Sequence, residues 1–408
     1  MPRPSRKVRS DNIRRGGKDN DFGHPKALQG AQITFEERDA AHLNQRAGAV
    51  GEDDKFVAHW GFLNDHKPLG KSALFLSGLG VRGRRWFSRG KHMSPNLFFR
   101  LRYSPFLAQM VVIRRCNLSC GYCSEFDKTS DPVPFEVLAK QLEKLRELGT
   151  FGISLTGGEP TLHPDLPRLI RKCRELRFLR TGMITNGFFL KPELIEKLNA
   201  AGLQDMQISI DAVRRNETTE KVLDNLKKRL LALRDHARFR VTVSGVIGAA
   251  PPNEAEEVVA YARELGFIPR VLLVHDNTGQ LKLQRDEVKA FERIVQTLPK
   301  NWTDFSSYRK RLVRDGSAPF KCRAGSRYLY IDEFGNVNWC SQTRTVWSKP
   351  LANYTREDLR EQFSTYKSCN ETCTLGCARS ASHIDNWRPQ QQRFETTNPS
   401  PIVAAADR

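Results

Sequence analysis

Six apolar, β-branched runs recur through the middle of the chain, beginning near Met110, Phe151, Leu179, Met206, Phe239 and Ile268, at steps of about 27 to 41 residues. After each run comes a turn and then a stretch in which apolar residues return every three or four positions, the period of one helix face. The spacing predicts helices over 135–148, 166–176, 192–201, 219–235, 253–265 and 287–298. Pro192 suits a first helical turn, and Gly149, Gly202 and Gly266 stand where a C-terminal cap belongs. Strands alternating with helices imply a parallel sheet. Six successive right-handed βα units curl into a partial (βα)6 TIM-like barrel, an α/β fold whose functional loops gather at the C-terminal ends of the strands.

The pattern fades on both sides of 108–300. Residues 1–55 are polar and charged, as in RKVRS, RRGGKDND and GEDD, and read as a disordered basic arm. Residues 56–107 mix apolar, aromatic and basic positions and read as a helical extension docking on the barrel; Arg interleaved with Trp86, Phe87, Phe98 and Phe99 also suits a nucleic-acid or membrane-surface patch. Over 301–380 the strand-helix alternation gives way to a small Cys-rich unit in which YLYIDEFGNVNW reads as a β-hairpin turning at 333–336, with a helix over 355–366. Residues 381–408 form a tail.

Directly after the first apolar run stands CNLSCGYC, with thiols at Cys116, Cys120 and Cys123. Three soft ligands within eight residues describe a loop wrapping a metal centre. Structural zinc wants a fourth nearby Cys or His, which the loop does not supply. A 4Fe-4S cluster usually takes four thiolates, so three leave one iron open to a small molecule.

This spacing, with Tyr122 before the last Cys, resembles the radical S-adenosylmethionine superfamily. The resemblance implies that the open iron of a 4Fe-4S cluster chelates S-adenosylmethionine, and that an electron from the cluster breaks the sulfonium bond to give a 5'-deoxyadenosyl radical that abstracts hydrogen from a substrate. Gly157-Gly158-Glu159-Pro160, after the second run, matches the superfamily motif for the cofactor's amino group. Thr185 and Asn186 at the end of the third run, and Ser209 and Asp211 at the end of the fourth, are similarly implied to bind its carboxylate and ribose. Read singly, such residues also cap helices and build turns. His163, in TLHP, reads as a loop residue outside the catalytic set; His275 and Asp276, after the sixth run, could face the pocket or cap their loop.

Cys322 and Cys340, in a C-x12-G-x4-C arrangement, and Cys369, Cys373 and Cys377 resemble the SPASM or shorter twitch module that follows the barrel in many such enzymes. Five thiols are enough for one more 4Fe-4S cluster, with one to spare, although the full seven-Cys pattern is not met and zinc is the alternative for this group. Cys173, inside a helical stretch, reads as an ordinary core thiol.

Composition narrows the rest. Nine Cys in 408 residues, odd in number and clustered, argue for metal ligation in a reducing compartment rather than a disulfide scaffold. No stretch reaches the roughly 18 apolar residues of a membrane span, so the expected location is the cytoplasm. The net charge of +20 admits an RNA partner but is better read as a solvated arm, since much of the basic charge lies near the N-terminus. Neither G-x-x-x-x-G-K-[ST] nor a strand-borne G-x-G-x-x-G occurs, which removes the P-loop and dinucleotide readings. Expected partners are S-adenosylmethionine, a reductant such as a flavodoxin or ferredoxin, and a substrate that is a peptide or protein side chain, or alternatively a small metabolite, a lipid precursor or RNA. A non-enzymatic metal-binding module is the remaining reading.

Overall fold

A computed structural model of the chain describes residues 102–275, 281–298, 307–344 and 346–388. The basic arm, nearly all of the expected helical extension, Asp276 and the end of the tail lie outside the described residues. Six parallel strands appear where the apolar runs stand: β1 (Leu107–Ile113), β2 (Gly152–Gly157), β3 (Arg180–Thr185), β4 (Asp205–Ile210), β5 (Arg240–Ile247) and β6 (Ile268–Leu273). Between and after them run α1 (Phe135–Glu147), α2 (Leu166–Glu175), α3 (Pro192–Ala201), α4 (Leu223–His236), α5 (Pro252–Glu264) and α6 (Arg285–Thr297).

The C-terminal hairpin, β7 (Tyr328–Ile331) and β8 (Asn336–Asn338), does not stand apart from the barrel. β7 pairs in parallel with β1, in register from Leu107 opposite Tyr328 to Met110 opposite Ile331, and β9 (Ser348–Pro350) closes an antiparallel edge. The nine-stranded order is β6-β5-β4-β3-β2-β1-β7-β8-β9. The Asp332 side chain builds the hairpin turn by accepting from the backbone N–H groups of Phe334 and Asn336 and from Asn338 Nδ2, at 2.8 to 3.0 Å. Three further helices complete the described chain: α7 (Ser307–Asp315), which the periodicity did not reveal, α8 (Arg356–Ser364) and α9 (Gly376–His383).

Strand β1 is apolar along almost its whole length because both of its faces are buried. Ala108, Met110 and Val112 pack outward into the core shared with the helices, while Leu107 and Val111 join Tyr328, Tyr330, Cys322, Cys340 and Cys377 in a second core on the inner face. The helices behave as their period requires: α2 buries Leu166, Leu169, Ile170 and Cys173 along one stripe. Burial pushes the Cys173 thiol up to about 12, as befits an inert core residue.

The start and end of the described chain are tied by a buried ionic group. Arg327 Nε donates to Asp385 Oδ2 at 2.6 Å and Arg388 Nη1 to Asp385 Oδ1 at 3.0 Å. The same guanidiniums reach back to the carbonyls of Ser104 and Arg102. No helix among the described residues is long and apolar enough to cross a membrane.

Candidate metal and cofactor site

At the C-terminal ends of β1 to β4 the chain places Cys116, Cys120, Cys123, Gly157, Gly158, Thr185, Asn186 and Ser209 around one cavity of about 100 Å³. Phe126, Thr156 and Lys221 complete much of its wall. This is the end of a parallel α/β sheet at which ligands bind, because loops there can converge without disturbing the strands.

Backbone contacts fix the cysteine loop from several sides. The Cys116 N–H donates to the Asp127 carbonyl at 3.0 Å and the Asp127 N–H to Arg114 at 3.1 Å, closing the loop at its base. A turn brings the Cys123 N–H to the Cys120 carbonyl, and the Gly121 N–H donates to Thr218. The strand end at β2 presses directly on this base. A Cβ on Gly158 would stand 2.2 Å from the Arg114 carbonyl oxygen, and one on Gly157 2.0 Å from that of Ile113. Both positions therefore require glycine, since backbone meets backbone there.

Glu159 is completely buried, and its carboxylate is turned away from solvent into the neighbouring loop. It accepts from Thr185 Oγ1 at 2.6 Å, from the Asn186 N–H at 2.7 Å and from the Thr161 N–H at 3.0 Å. Burial raises its pKa, and these donors oppose the rise. The residue thus staples the β2 loop to the β3 loop. Asn186 is carried forward by that staple, and its Nδ2 donates to Asn117 Oδ1 at 2.8 Å while lying 3.7 Å from Cys116 Sγ.

Asp211 is not among the residues that line the cavity. It follows the last residue of β4, where the chain turns, and its Oδ2 accepts from Tyr122 at 2.6 Å and Thr219 at 2.7 Å, with Lys221 Nζ at 3.3 Å. It anchors the cysteine loop from below, while Ser209, on the strand itself, faces the cavity. Thr219 also contacts Cys120 Sγ at 3.6 Å. Asn117 sits unmarked between the motif's thiols, and Thr219 and Lys221 carry no motif of their own. The contact with Asn186 reveals Asn117, and the reach of the 211–222 loop back to CNLSCGYC reveals Thr219 and Lys221.

Burial pushes the Cys116 and Cys123 thiols up, so binding of a metal centre there must displace their protons. Among the described residues no three His, Cys, Asp or Glu side chains close on a point suited to one ion. The loop thiols instead border a volume, which fits an inorganic cluster better than a single zinc.

Of the second thiol group, Cys322, Cys340 and Cys377 lie on the inner face of β1 and β7 in an apolar cluster with Tyr328 and Tyr330, while Cys369 is exposed. Burial raises Cys340 to about 12. The two regions touch through Glu125, just past Cys123, which accepts from Tyr330 and pairs with Arg114 at 3.2 Å and Arg344 at 3.3 Å.

His163 is a structural residue. It is 3% exposed, its Nε2 lies 2.9 Å from the Val133 carbonyl and its Nδ1 accepts from the Asp165 N–H at 3.1 Å. A proton on Nδ1 would oppose that N–H, and burial lowers the pKa below the ordinary 6.5. The unfolded chain therefore binds more protons, and stability falls as the pH drops below about 6.5. His163→Gln should flatten this slope in denaturant midpoints measured across pH 5 to 7.5; an unchanged slope would refute the assignment.

Residues 110–293 match the family described as the Radical SAM superfamily. The chain is 30% identical over 199 residues to PqqA peptide cyclase of Gluconobacter oxydans, covering 45% of this chain and 54% of that one. It is 34% identical over 178 residues to the 7,8-dihydro-6-hydroxymethylpterin dimethyltransferase of Methanocaldococcus jannaschii, with 39% and 33% covered. To a probable GTP 3',8-cyclase of Saccharolobus solfataricus it is 26% identical over 203 residues, with 47% and 64% covered. The chain thus spans between a third and just under two thirds of the length of these curated relatives. Streptococcus suis SuiB shares the fold, with a TM-score of 0.50 at 17% identity over 69% of this chain and 74% of that one.

Proposed function

We propose that this chain, whose residues 110–293 carry a radical SAM domain, is an enzyme that reductively cleaves S-adenosylmethionine and abstracts hydrogen from a peptide or protein side chain. One observation carries the reading: three thiols of a single loop share a cavity with paired glycines and the polar ends of two further strands. The radical SAM family uses a 4Fe-4S cluster and S-adenosylmethionine, and Cys116, Cys120 and Cys123 would hold that cluster here. When bound, it supplies the electron that splits the sulfonium and releases a 5'-deoxyadenosyl radical.

The protein's own residues do the rest. Gly157 and Gly158 bring bare backbone to the cavity, where a carbonyl can meet the cofactor's amino group. Asn186 and Ser209 offer short polar groups to its carboxylate and ribose. Glu159 and Thr185 act one step back by holding Asn186 in place. Tyr122, Asp211, Thr219 and Lys221 keep the cysteine loop seated, and Leu118 and Phe126 on the wall restrict water around a reactive species.

Cys322 and Cys340, with Cys369, Cys373 and Cys377, are proposed to bind a second 4Fe-4S cluster in a SPASM- or twitch-like module, fed like the first by a flavodoxin- or ferredoxin-type donor in the cytoplasm. The peptide reading is supported by the relative named PqqA peptide cyclase. A small-molecule substrate is the second reading, supported by the relatives named for GTP and a pterin.

The test is anaerobic reconstitution followed by reduction in the presence of S-adenosylmethionine. It should yield 5'-deoxyadenosine, with about eight irons per chain if both clusters form. A fully loaded protein that leaves the cofactor intact would refute the activity, and zinc in the second group would refute the second cluster. Stimulation of cleavage by a peptide encoded beside this chain would select the peptide over a small molecule.

A further inference from the structure

The inner face of the sheet carries a polar row leading away from the thiol cavity. Ser209 lines that cavity and pairs in register with Ser244 on β5, which pairs in turn with Arg270 on β6. Register partners on neighbouring strands project to the same face. Ser244 is completely buried, and its Oγ has no hydrogen-bond partner. A buried hydroxyl of this kind is destabilising unless something meets it.

Arg270 Nη1 donates to Gln207 Oε1 at 2.9 Å, and no carboxylate pairs with it among the described residues. Its electrostatic neighbours are Arg309, Cys377 and Tyr308. Arg309, on α7, is 9% exposed; it lies over the Tyr308 ring at 4.8 Å and has no hydrogen bond or ion pair among the described residues. Its Nη2 lies beside Gly376, 3.0 Å from where a Cβ there would stand. A third guanidinium, Arg379, covers the same tyrosine at 4.4 Å but is satisfied by the carbonyls of Cys373 and Ala318. Two neighbouring guanidiniums with no carboxylate partner among the described residues repel each other, and an oxyanion between them relieves both.

We propose that Arg270 and Arg309, with the Ser244 hydroxyl, form a binding site for an oxyanion of the substrate, a carboxylate or a phosphate. This rests on the reading of the chain as an enzyme, and it orients the substrate: anchored at β6 and α7, its reacting end extends along the polar row toward Ser209. The guanidinium of Arg309 is a specificity determinant supplied by a helix that follows the matched family region.

The reconstituted full chain is titrated with inorganic phosphate and, separately, with succinate, at ionic strength held constant with chloride, while thermal melting is followed by tryptophan fluorescence. One of the two should raise the melting temperature saturably. Arg270→Gln and Arg309→Gln should each weaken that anion about tenfold or more, and Arg309→Lys should weaken it less. If Arg309→Gln melts too early to titrate, Arg270→Gln and Arg309→Lys carry the comparison. The anion that binds names the class, phosphorylated or carboxylic. The proposal is overturned if neither anion gives a saturable shift, if the variants bind as the parent does, or if they shed iron and leave anion binding unchanged. That last result would mean the cations only balance an iron-sulfur centre at Cys377. Because these titrations need no turnover, a protein that binds the anion but leaves S-adenosylmethionine intact would fail the proposed activity and keep the site.

Discussion

Replacing Cys120 by alanine should lower reductive cleavage of S-adenosylmethionine by roughly 10³-fold or more, the scale seen when a residue on which the whole machinery depends is removed. The same loss is expected at Cys116 and Cys123, because three thiolates are the whole of what the loop offers a cluster. The fold should survive. The loop is also held by the Cys116 N–H on Asp127, the Gly121 N–H on Thr218 and Tyr122 on Asp211, none of which needs the Cys120 sulfur. Product analysis by mass spectrometry, read beside a melting curve and an iron count, checks both halves. Activity retained by a correctly folded Cys120→Ala protein would break the link between the loop and the chemistry.

The largest loss of stability is expected at the opposite end of the molecule, at Asp385. Its carboxylate serves two guanidiniums, Arg327 with a side chain 1% exposed and Arg388 with one 10% exposed. Asp385→Ala leaves both cations buried and facing each other, which should cost about 3–5 kcal/mol. Asp385→Asn keeps an acceptor for one of them and should cost less. Urea midpoints of the three proteins decide the matter, and equal midpoints for parent and alanine variant would show the ion group to be dispensable. Since Arg327 and Arg388 also hold the Ser104 and Arg102 carbonyls, the alanine variant should loosen the entry to β1 along with the C-terminal end.

These two sites differ in how visible they were beforehand. CNLSCGYC announces itself, because three thiols at short spacing after an apolar run have few other uses. GGEP and the polar ends of β3 and β4 became informative by their order along the chain. Asp385, Arg327 and Arg388 carry no such mark: a lone acid in a C-terminal stretch looks like any surface residue until the turn before β7, 58 residues earlier, delivers its partner. Asp211 illustrates the same limit from the other side. It stands two residues after Ser209 and looks equivalent to it, yet the chain has already left β4 and aims the carboxylate at Tyr122 and Thr219.

The six strands, their six helices and the cysteine loop were determined by local pattern. A period of two or 3.6 residues and a cysteine spacing are properties of neighbours in the chain, and burying the apolar stripes leaves little choice of architecture. Tertiary structure alone decided that β7 pairs with β1, that Glu159 ties loops together in place of projecting freely, and that Arg270 and Arg309 meet without an acid between them. Each of these joins residues dozens to hundreds of positions apart. Their energies come from desolvation and from partners that only the closed fold supplies, so no short window of residues contains them.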